Sequence, residues 1–382
     1  MQIPASYFND EVREGFFVPS MMKHCWAAQM EVLSDIDVIC QKYHISYVAD
    51  SGTMIGAVRH GGFIPWDDDL DIIMYREDYE TFLAHADELP SNYAVLNWRN
   101  EDGWNDAFSR VVNSREIRFD EEFLTAYHGF PYSAGVDVFV LDYLYRDETK
   151  EEERRERAKY LLEAAAAIAR EASFTEEAEH LLETLERQFA FCVDRTGNMI
   201  RQLFQKVEEY LTEVPYEEAD RTCFMSAWMK YHSTAIYKDA YRDTMSVLFE
   251  IREIPVPVAY DDVLKSRYGD YMRVFRNGGL HDYPYYKAQE KILSERFGWK
   301  SWNYGWLPEE MTLGKRTHEA ERKKRDALKE KLSQIKSLIA SAPETFGELQ
   351  GQVDQLEQSL HLRGGEQEEV VFLTIGNAAW NN

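Results

Sequence analysis

Residues 61–72, GGFIPWDDDLDI, set Asp67, Asp68, Asp69 and Asp71 within five positions, directly after a Pro-Trp pair. In an extended strand, residues i and i+2 face the same way with Cα atoms roughly 6.5–7 Å apart. A strand beginning at Asp69 would project Asp69 and Asp71 together, and Asp67 would join them if it began earlier. Carboxylates at that spacing can converge on one divalent cation, or on two set ~3.5–4 Å apart. Without a cation they repel, and at least one pKa rises. Oxygen-only ligation selects Mg²⁺ or Mn²⁺ over zinc. The competing reading is a solvated acidic turn, which a short acidic run permits by itself.

Two carboxylates are an incomplete cation site, so a third should come from another strand. GVDVFVLD, residues 135–142, supplies one. Val136, Val138 and Val140 share a face there, and Asp137 is the acidic break in the other. An acid inside an apolar strand is disfavoured unless it is paired or metal-bound. Asp142, at the strand's end, reads as a turn residue. Upstream, SGTMIG (51–56) is a glycine turn opening a short helix, whose first backbone N–H groups form a natural cradle for phosphate.

The elements that must position these groups follow from periodicity. Met22, Trp26, Met30, Leu33, Ile36 and Cys40 recur at helical steps and predict a helix over 20–43. A buried strand is expected at 45–50, a helix around 53–59, a strand at 69–75 and a helix at 76–89 ending before Pro90. Further strands are expected at 93–98, 107–113 and 134–145. This order argues for an α/β (α+β) fold with a mixed sheet. Residues 1–148 read as the catalytic core and 149–232 as a helical insertion, with a capping box at Ser173 and Glu176. Polar faces such as Glu151–Arg157 read as solvated surface. Mixed structure returns over 233–315. Heptad-spaced stripes around Pro343 predict a helical hairpin at 316–363, a candidate oligomerisation element. An apolar strand within 364–382 suggests the start of a further domain.

Composition narrows the function. Of 382 residues, 68 are acidic and 43 basic, for a net charge of −25. A nucleic-acid duplex binder would show the opposite balance, because neutralising phosphates supplies much of its affinity. The acidity also disfavours anionic membrane surfaces, leaving at most peripheral association. Cys25, Cys40, Cys192 and Cys223 are scattered singly, with no CxxC pair to indicate structural zinc or a disulfide framework. The N-terminus lacks a signal-peptide pattern, and no apolar run is long enough to span a bilayer. The expected compartment is the cytoplasm, including the inner face of the membrane.

SGTMIGAVRHGGFIPWDDDLDI closely resembles the signature of the LicD family, in which a Gly-Thr turn and an Arg-His pair precede an Ile-Pro-Trp-Asp-Asp-Asp-x-Asp run. The resemblance continues at GVDVFVLDY and IPVPVAYDDVLKSRYGDYM and reaches a late histidine, His281, covering about residues 20–290. It implies a nucleotidyltransferase-superfamily fold, related to that of DNA polymerase β. On that likeness Gly52 and Thr53 occupy the phosphate turn, Asp69 and Asp71 are the metal pair, and Asp137 is the third acid and a candidate base. Arg59, His60 and His281 would bind the diphosphate or the acceptor, with a surface pairing of Arg59 to Asp67 or Asp68 as the alternative. The implied activity is Mg²⁺-dependent transfer of a phospho-alcohol, typically phosphocholine, from a CDP-activated donor such as CDP-choline to a hydroxyl of a cell-surface glycan or lipid-linked glycan. CDP-glycerol or CDP-ribitol donors, nucleotidyl transfer, and a non-enzymatic docking module are the alternatives. An aromatic cage for choline could draw on Trp66, Trp104, Tyr283, Tyr285 and Tyr286.

Overall fold

The structure, a computed structural model, describes residues 1–297 apart from 103, 105, 171–175, 225–226, 229–234 and 275–282. The expected hairpin at 316–363, the segment 364–382, Ser173 of the capping box and His281 lie outside the described residues. In chain order the elements are β1 (Glu11–Arg13), β2 (Phe16–Val18), α1 (Ser20–Tyr43), β3 (Val48–Ala49), α2 (Ser51–His60), β4 (Asp71–Tyr75), α3 (Arg76–Ala84), β5 (Ala94–Leu96), β6 (Ser109–Val112), α4 (Glu121–Ala126) and β7 (Gly135–Tyr145). They continue with α5 (Glu148–Arg170), α6 (Glu176–Phe189), α7 (Met199–Leu211), β8 (Ala219–Phe224), β9 (Ile236–Tyr237), β10 (Thr244–Phe249), β11 (Arg252–Pro257), α8 (Tyr260–Tyr268) and α9 (Lys287–Phe297). The architecture is α+β.

One mixed sheet organises the molecule, in the order β3-β4-β7-β6-β5, with β8 on β7 and β9 on β8. Its centre is β7, whose near-continuous apolar run suits a strand covered on both faces. β4 runs parallel to it, β6 pairs antiparallel with its first half, and β8 with its second. α1 spans the length predicted for it and buries Trp26, Met30, Leu33 and Ile36 in the core. It ends at His44, whose left-handed backbone (φ 57°) closes the helix.

Two expectations change. β4 begins at Asp71, not at 69, so Asp69 lies in the loop before it. The reason is local: the Asp67 N–H donates to the Ile64 carbonyl (2.9 Å), closing a turn with Pro65 in its second position. Proline's fixed φ favours that turn and delays the strand. Second, Glu151, Arg154 and Arg155 are buried rather than solvated. Arg154 donates to Glu151 (2.7 Å) and to the Tyr143 carbonyl (3.0 Å), while Glu151 accepts from the Tyr145 amide (2.9 Å). The first turns of α5 thereby close the end of β7, where exposed backbone groups need partners. The helices α5–α7 end at Leu211, and β8 returns the chain to the main sheet within the 149–232 stretch. No helix of the described residues is long and apolar enough to cross a membrane.

Candidate active site

The glycine turn and the acidic run meet where α2 begins. Ser51 holds a left-handed backbone (φ 48°), turning the chain sharply from β3 into the helix. A Cβ at Gly52 would approach Asp67 Oδ2 to well under 3.0 Å, so any larger residue there would displace the Asp67 carboxylate. The Thr53 hydroxyl accepts from the Asp71 amide (2.8 Å), and the Asp50 amide donates to the Asp71 carbonyl (3.0 Å). Turn and strand are therefore pinned at the same residue. Thr53 is buried, with its acceptor engaged by backbone.

α1 fixes the acidic loop from the other side. The Trp26 indole N–H donates to the Asp67 carbonyl (3.0 Å), and the Gln29 amide donates to the Asp68 carbonyl (2.8 Å). Asp68 is fully buried and its carboxylate accepts the Tyr285 amide (2.7 Å). This makes Asp68 an anchor for the segment leading into α9. Among the described residues, the carboxylates of Asp67, Asp68 and Asp69 have ligand oxygens within 4.8 Å of one another. That trio differs from the predicted set of Asp69, Asp71 and Asp137.

Asp71 and Asp137 come together through sheet register. They are direct partners across the parallel β4–β7 pair, and Arg110 of β6 is the direct partner of Asp137 on its other side. Directly opposed residues share a face, so Asp71, Asp137 and Arg110 form one row. Arg110 grips Asp137 through two nitrogens, Nε on Oδ1 and Nη2 on Oδ2 (2.7 Å). At the opposite end, Arg267 of α8 donates to Asp50 and to the Ser51 hydroxyl (3.1 Å). Asp71 sits between these paired acids. It is only 6% exposed, and its Oδ1 has no hydrogen-bond partner among the described residues.

The electrostatics match that geometry. Burial pushes the Asp71 carboxyl well above its ordinary value, and Asp69 and Asp137 push it further. Asp67 is raised well above the ordinary range by burial and by Asp69, with which it shares a hydrogen bond. Burial also raises Asp137, against the opposing pull of Arg110. A buried carboxylate oxygen without a donor, amid acids that hold one another's protons, is chemistry that a hard divalent cation would satisfy. The residues present fit such an ion: Asp71 and the Asp67–Asp69 loop offer oxygens, and Asp137 adjoins them.

The remaining predicted residues fall elsewhere. Arg59 donates to the carbonyls of Tyr271 and Arg273 and to His60 Nε2 (2.9 Å), so it pairs with neither Asp67 nor Asp68. His60 Nδ1 lies 2.8 Å from Glu14. Burial lowers the pKa of both Arg59 and His60. Trp104 is buried against Phe108, and Tyr286 is buried in a stack on Tyr132. Trp66 and Tyr283 instead both pack on Phe16, with ring centroids 5.9 and 5.4 Å away, beside the acidic loop. Residue-by-residue reading missed Arg110, Arg267 and Asp50, and it joined Asp67 to the other acids only on the condition of an earlier strand start. Arg267 lies within the IPVPVAYDDVLKSRYGDYM stretch, a signal that could have found it. Arg110's role depends on register, which no local pattern reveals.

Residues 44–155 match the family model described as LicD/FKTN/FKRP, nucleotidyltransferase domain. The resemblance seen in the sequence is thus found over the stretch that holds the row of acids. The chain is 48% identical over 54 residues to the lipopolysaccharide cholinephosphotransferase LicD of Haemophilus influenzae, covering 14% of this chain and 20% of that protein. It is 48% identical over 69 residues to an uncharacterized protein of Rickettsia typhi (18% and 21% covered) and over 48 residues to one of Rickettsia prowazekii (13% and 18%). The chain spans about a fifth of the length of the curated relatives it matches.

Proposed function

We propose that this protein is a phosphotransferase that moves a phospho-alcohol, phosphocholine foremost, from a CDP-activated donor to a sugar hydroxyl of a cell-surface glycan. The observation that carries the proposal is the in-register row of Asp71 and Asp137 beside the Asp67–Asp69 loop, inside the stretch that matches the LicD/FKTN/FKRP nucleotidyltransferase domain. In this reaction the hydroxyl oxygen attacks the phosphorus bearing the alcohol. A new P–O bond forms, the bond to CMP breaks, and its electrons leave on the CMP phosphate.

The chain's own groups would serve that displacement by placement and electrostatics, as phosphoryl transfer requires. Asp69 and Asp71, with Asp137 beside them and Asp67 in support, would hold Mg²⁺ or Mn²⁺, which neutralises charge on the diphosphate. Asp137, aligned with Asp71 in the same row, is the carboxylate proposed to accept the hydroxyl proton. The first turn of α2, with Gly52 and Thr53, brings its positive end to the same place. Phe16, Trp66 and Tyr283 offer aromatic faces beside the acids for a quaternary ammonium group.

The test is incubation with a panel of CDP-alcohols, Mg²⁺ and candidate glycans while following CMP release. Transfer should occur with the wild type and be abolished in Asp69→Asn and Asp71→Asn, with both variants folded. Wild-type turnover in either variant would overturn the metal assignment. Pyrophosphate release from CTP in place of CMP release would point to nucleotidyl transfer instead.

A further inference from the structure

We infer that Arg110 binds a phosphate oxygen of the donor, and that Asp137 is the carboxylate that aims it. The inference rests on the phosphotransfer reading above and names a residue which that reading lacked. Arg59, the cation expected for this task, is engaged by the carbonyls of Tyr271 and Arg273. Arg267 is turned toward Asp50 and Ser51, at the far end of the row.

Arg110 is differently placed. Its Nε and Nη2 are taken by Asp137 in a side-on grip, and among the described residues no hydrogen-bond partner falls to Nη1. Its side chain is mostly buried at 12% exposure, so the guanidinium is held in place beside the acids. Asp69 and Asp71 act on Arg110 electrostatically as well as Asp137, which sets it beside the acids expected to hold the cation. A guanidinium is planar, always charged and forked. One edge can be held by a carboxylate while another donates to phosphate, which a lysine's single ammonium cannot reproduce. The register of β6 on β7 sets the fork, and the two-point grip stops its rotation.

Calorimetry with CDP and Mg²⁺ tests this, alongside turnover of CDP-alcohols. Arg110→Lys should raise the donor KM and weaken CDP binding about tenfold or more, with a smaller effect on kcat. Because a single neutral substitution would strand the buried Asp137, the paired variant Arg110→Gln with Asp137→Asn is compared by thermal melting and CDP binding. It should fold and bind CDP at least tenfold more weakly. Wild-type CDP affinity in the folded paired variant would overturn the inference, even if wild-type enzyme releases CMP as proposed. Conversely, Arg110-dependent CDP binding without CMP release would sustain it while the transfer reading fails. Absence of CDP binding by the wild type would overturn both.

Discussion

Replacing Gly52 by alanine separates positioning of the site from stability of the fold. Gly52 lies in the first turn of α2 with no left-handed backbone, so alanine is conformationally acceptable there. Helix propensity favours the change by up to about 1 kcal/mol, less in a first turn than in a helix interior. The obstacle is the Asp67 carboxylate, which the new Cβ would meet at under 3.0 Å. The Asp67 backbone cannot retreat easily, because Trp26 holds its carbonyl and its amide closes the turn from Ile64. The carboxylate must therefore rotate away and lose the hydrogen bond it shares with Asp69. Losing one hydrogen bond to a charged group costs about 1.5–3 kcal/mol, equivalent to roughly 10- to 150-fold in an equilibrium constant. That bond needs the proton a cation would displace, so its loss should lower the melting temperature in chelator by some degrees, while displacement of the Asp67 oxygen should weaken Mn²⁺ binding measured by calorimetry. Undiminished Mn²⁺ affinity would refute the coupling of Gly52 to Asp67. A large drop in melting temperature with affinity intact would show that the backbone, not the carboxylate, gives way.

Three further outcomes follow from the same geometry. Arg267→Ala leaves the buried Asp50 without a cation, with the Ser51 hydroxyl still donating to it, a change that typically costs about 3–5 kcal/mol; thermal melting should fall by several degrees or more, with part recovered in the double variant carrying Asp50→Asn. Because Asp67 and Asp71 are raised above the ordinary 3.8, the folded state holds their protons more tightly than the unfolded chain. Metal-free stability from these groups is therefore full below 3.8 and lost as pH climbs through the raised values; melting in chelator across pH should show the decline, Asp71→Asn should flatten it, and stabilisation by Mg²⁺ should grow over the same window. Arg59→Ala, which removes bonds to the Tyr271 and Arg273 carbonyls, should lower the melting temperature without changing the donor KM, and a selective rise in KM would show that Arg59 reaches substrate.

The parts of this site that the sequence made legible are those encoded by local pattern. The period of α1, the glycine turn, the acidic run and the acid in β7 could all be read from neighbours in the chain. The strand boundary at Asp71 could not, because the Pro65 turn and the Thr53 hydroxyl decide it, and the second of these lies 18 residues away. Asp137 was found as an anomaly, an acid among valines, yet its alignment with Asp71 and its grip by Arg110 depend on register between strands far apart in sequence. The error at Glu151 and Arg154 has the same origin. A charged helix face looks solvated until the end of a central strand is packed beneath it, where those charges answer buried backbone groups.

The arrangement of charge also bears on how a donor could enter such a site. Six carboxylates, those of Asp50, Asp67, Asp68, Asp69, Asp71 and Asp137, gather around the start of α2 and β4, faced by the guanidiniums of Arg110 and Arg267. Both guanidiniums sit at the ends of the row, where they hold Asp137 and Asp50. The uncompensated charge is thus concentrated at Asp71 and the loop above it. In a chain of net charge −25, a bare diphosphate would be repelled both by the whole field and by this centre. A diphosphate arriving as its cation complex brings the charge that Asp71 lacks, and only then does Arg110's remaining donor add attraction. Under the proposed reaction, donor binding and cation binding are therefore one thermodynamic event. CDP should bind markedly more weakly in chelator than with Mg²⁺, and Asp71→Asn, which removes a proposed cation ligand, should narrow that gap. A CDP affinity indifferent to the cation in the wild type would mean that the acids serve the fold and not the phosphate.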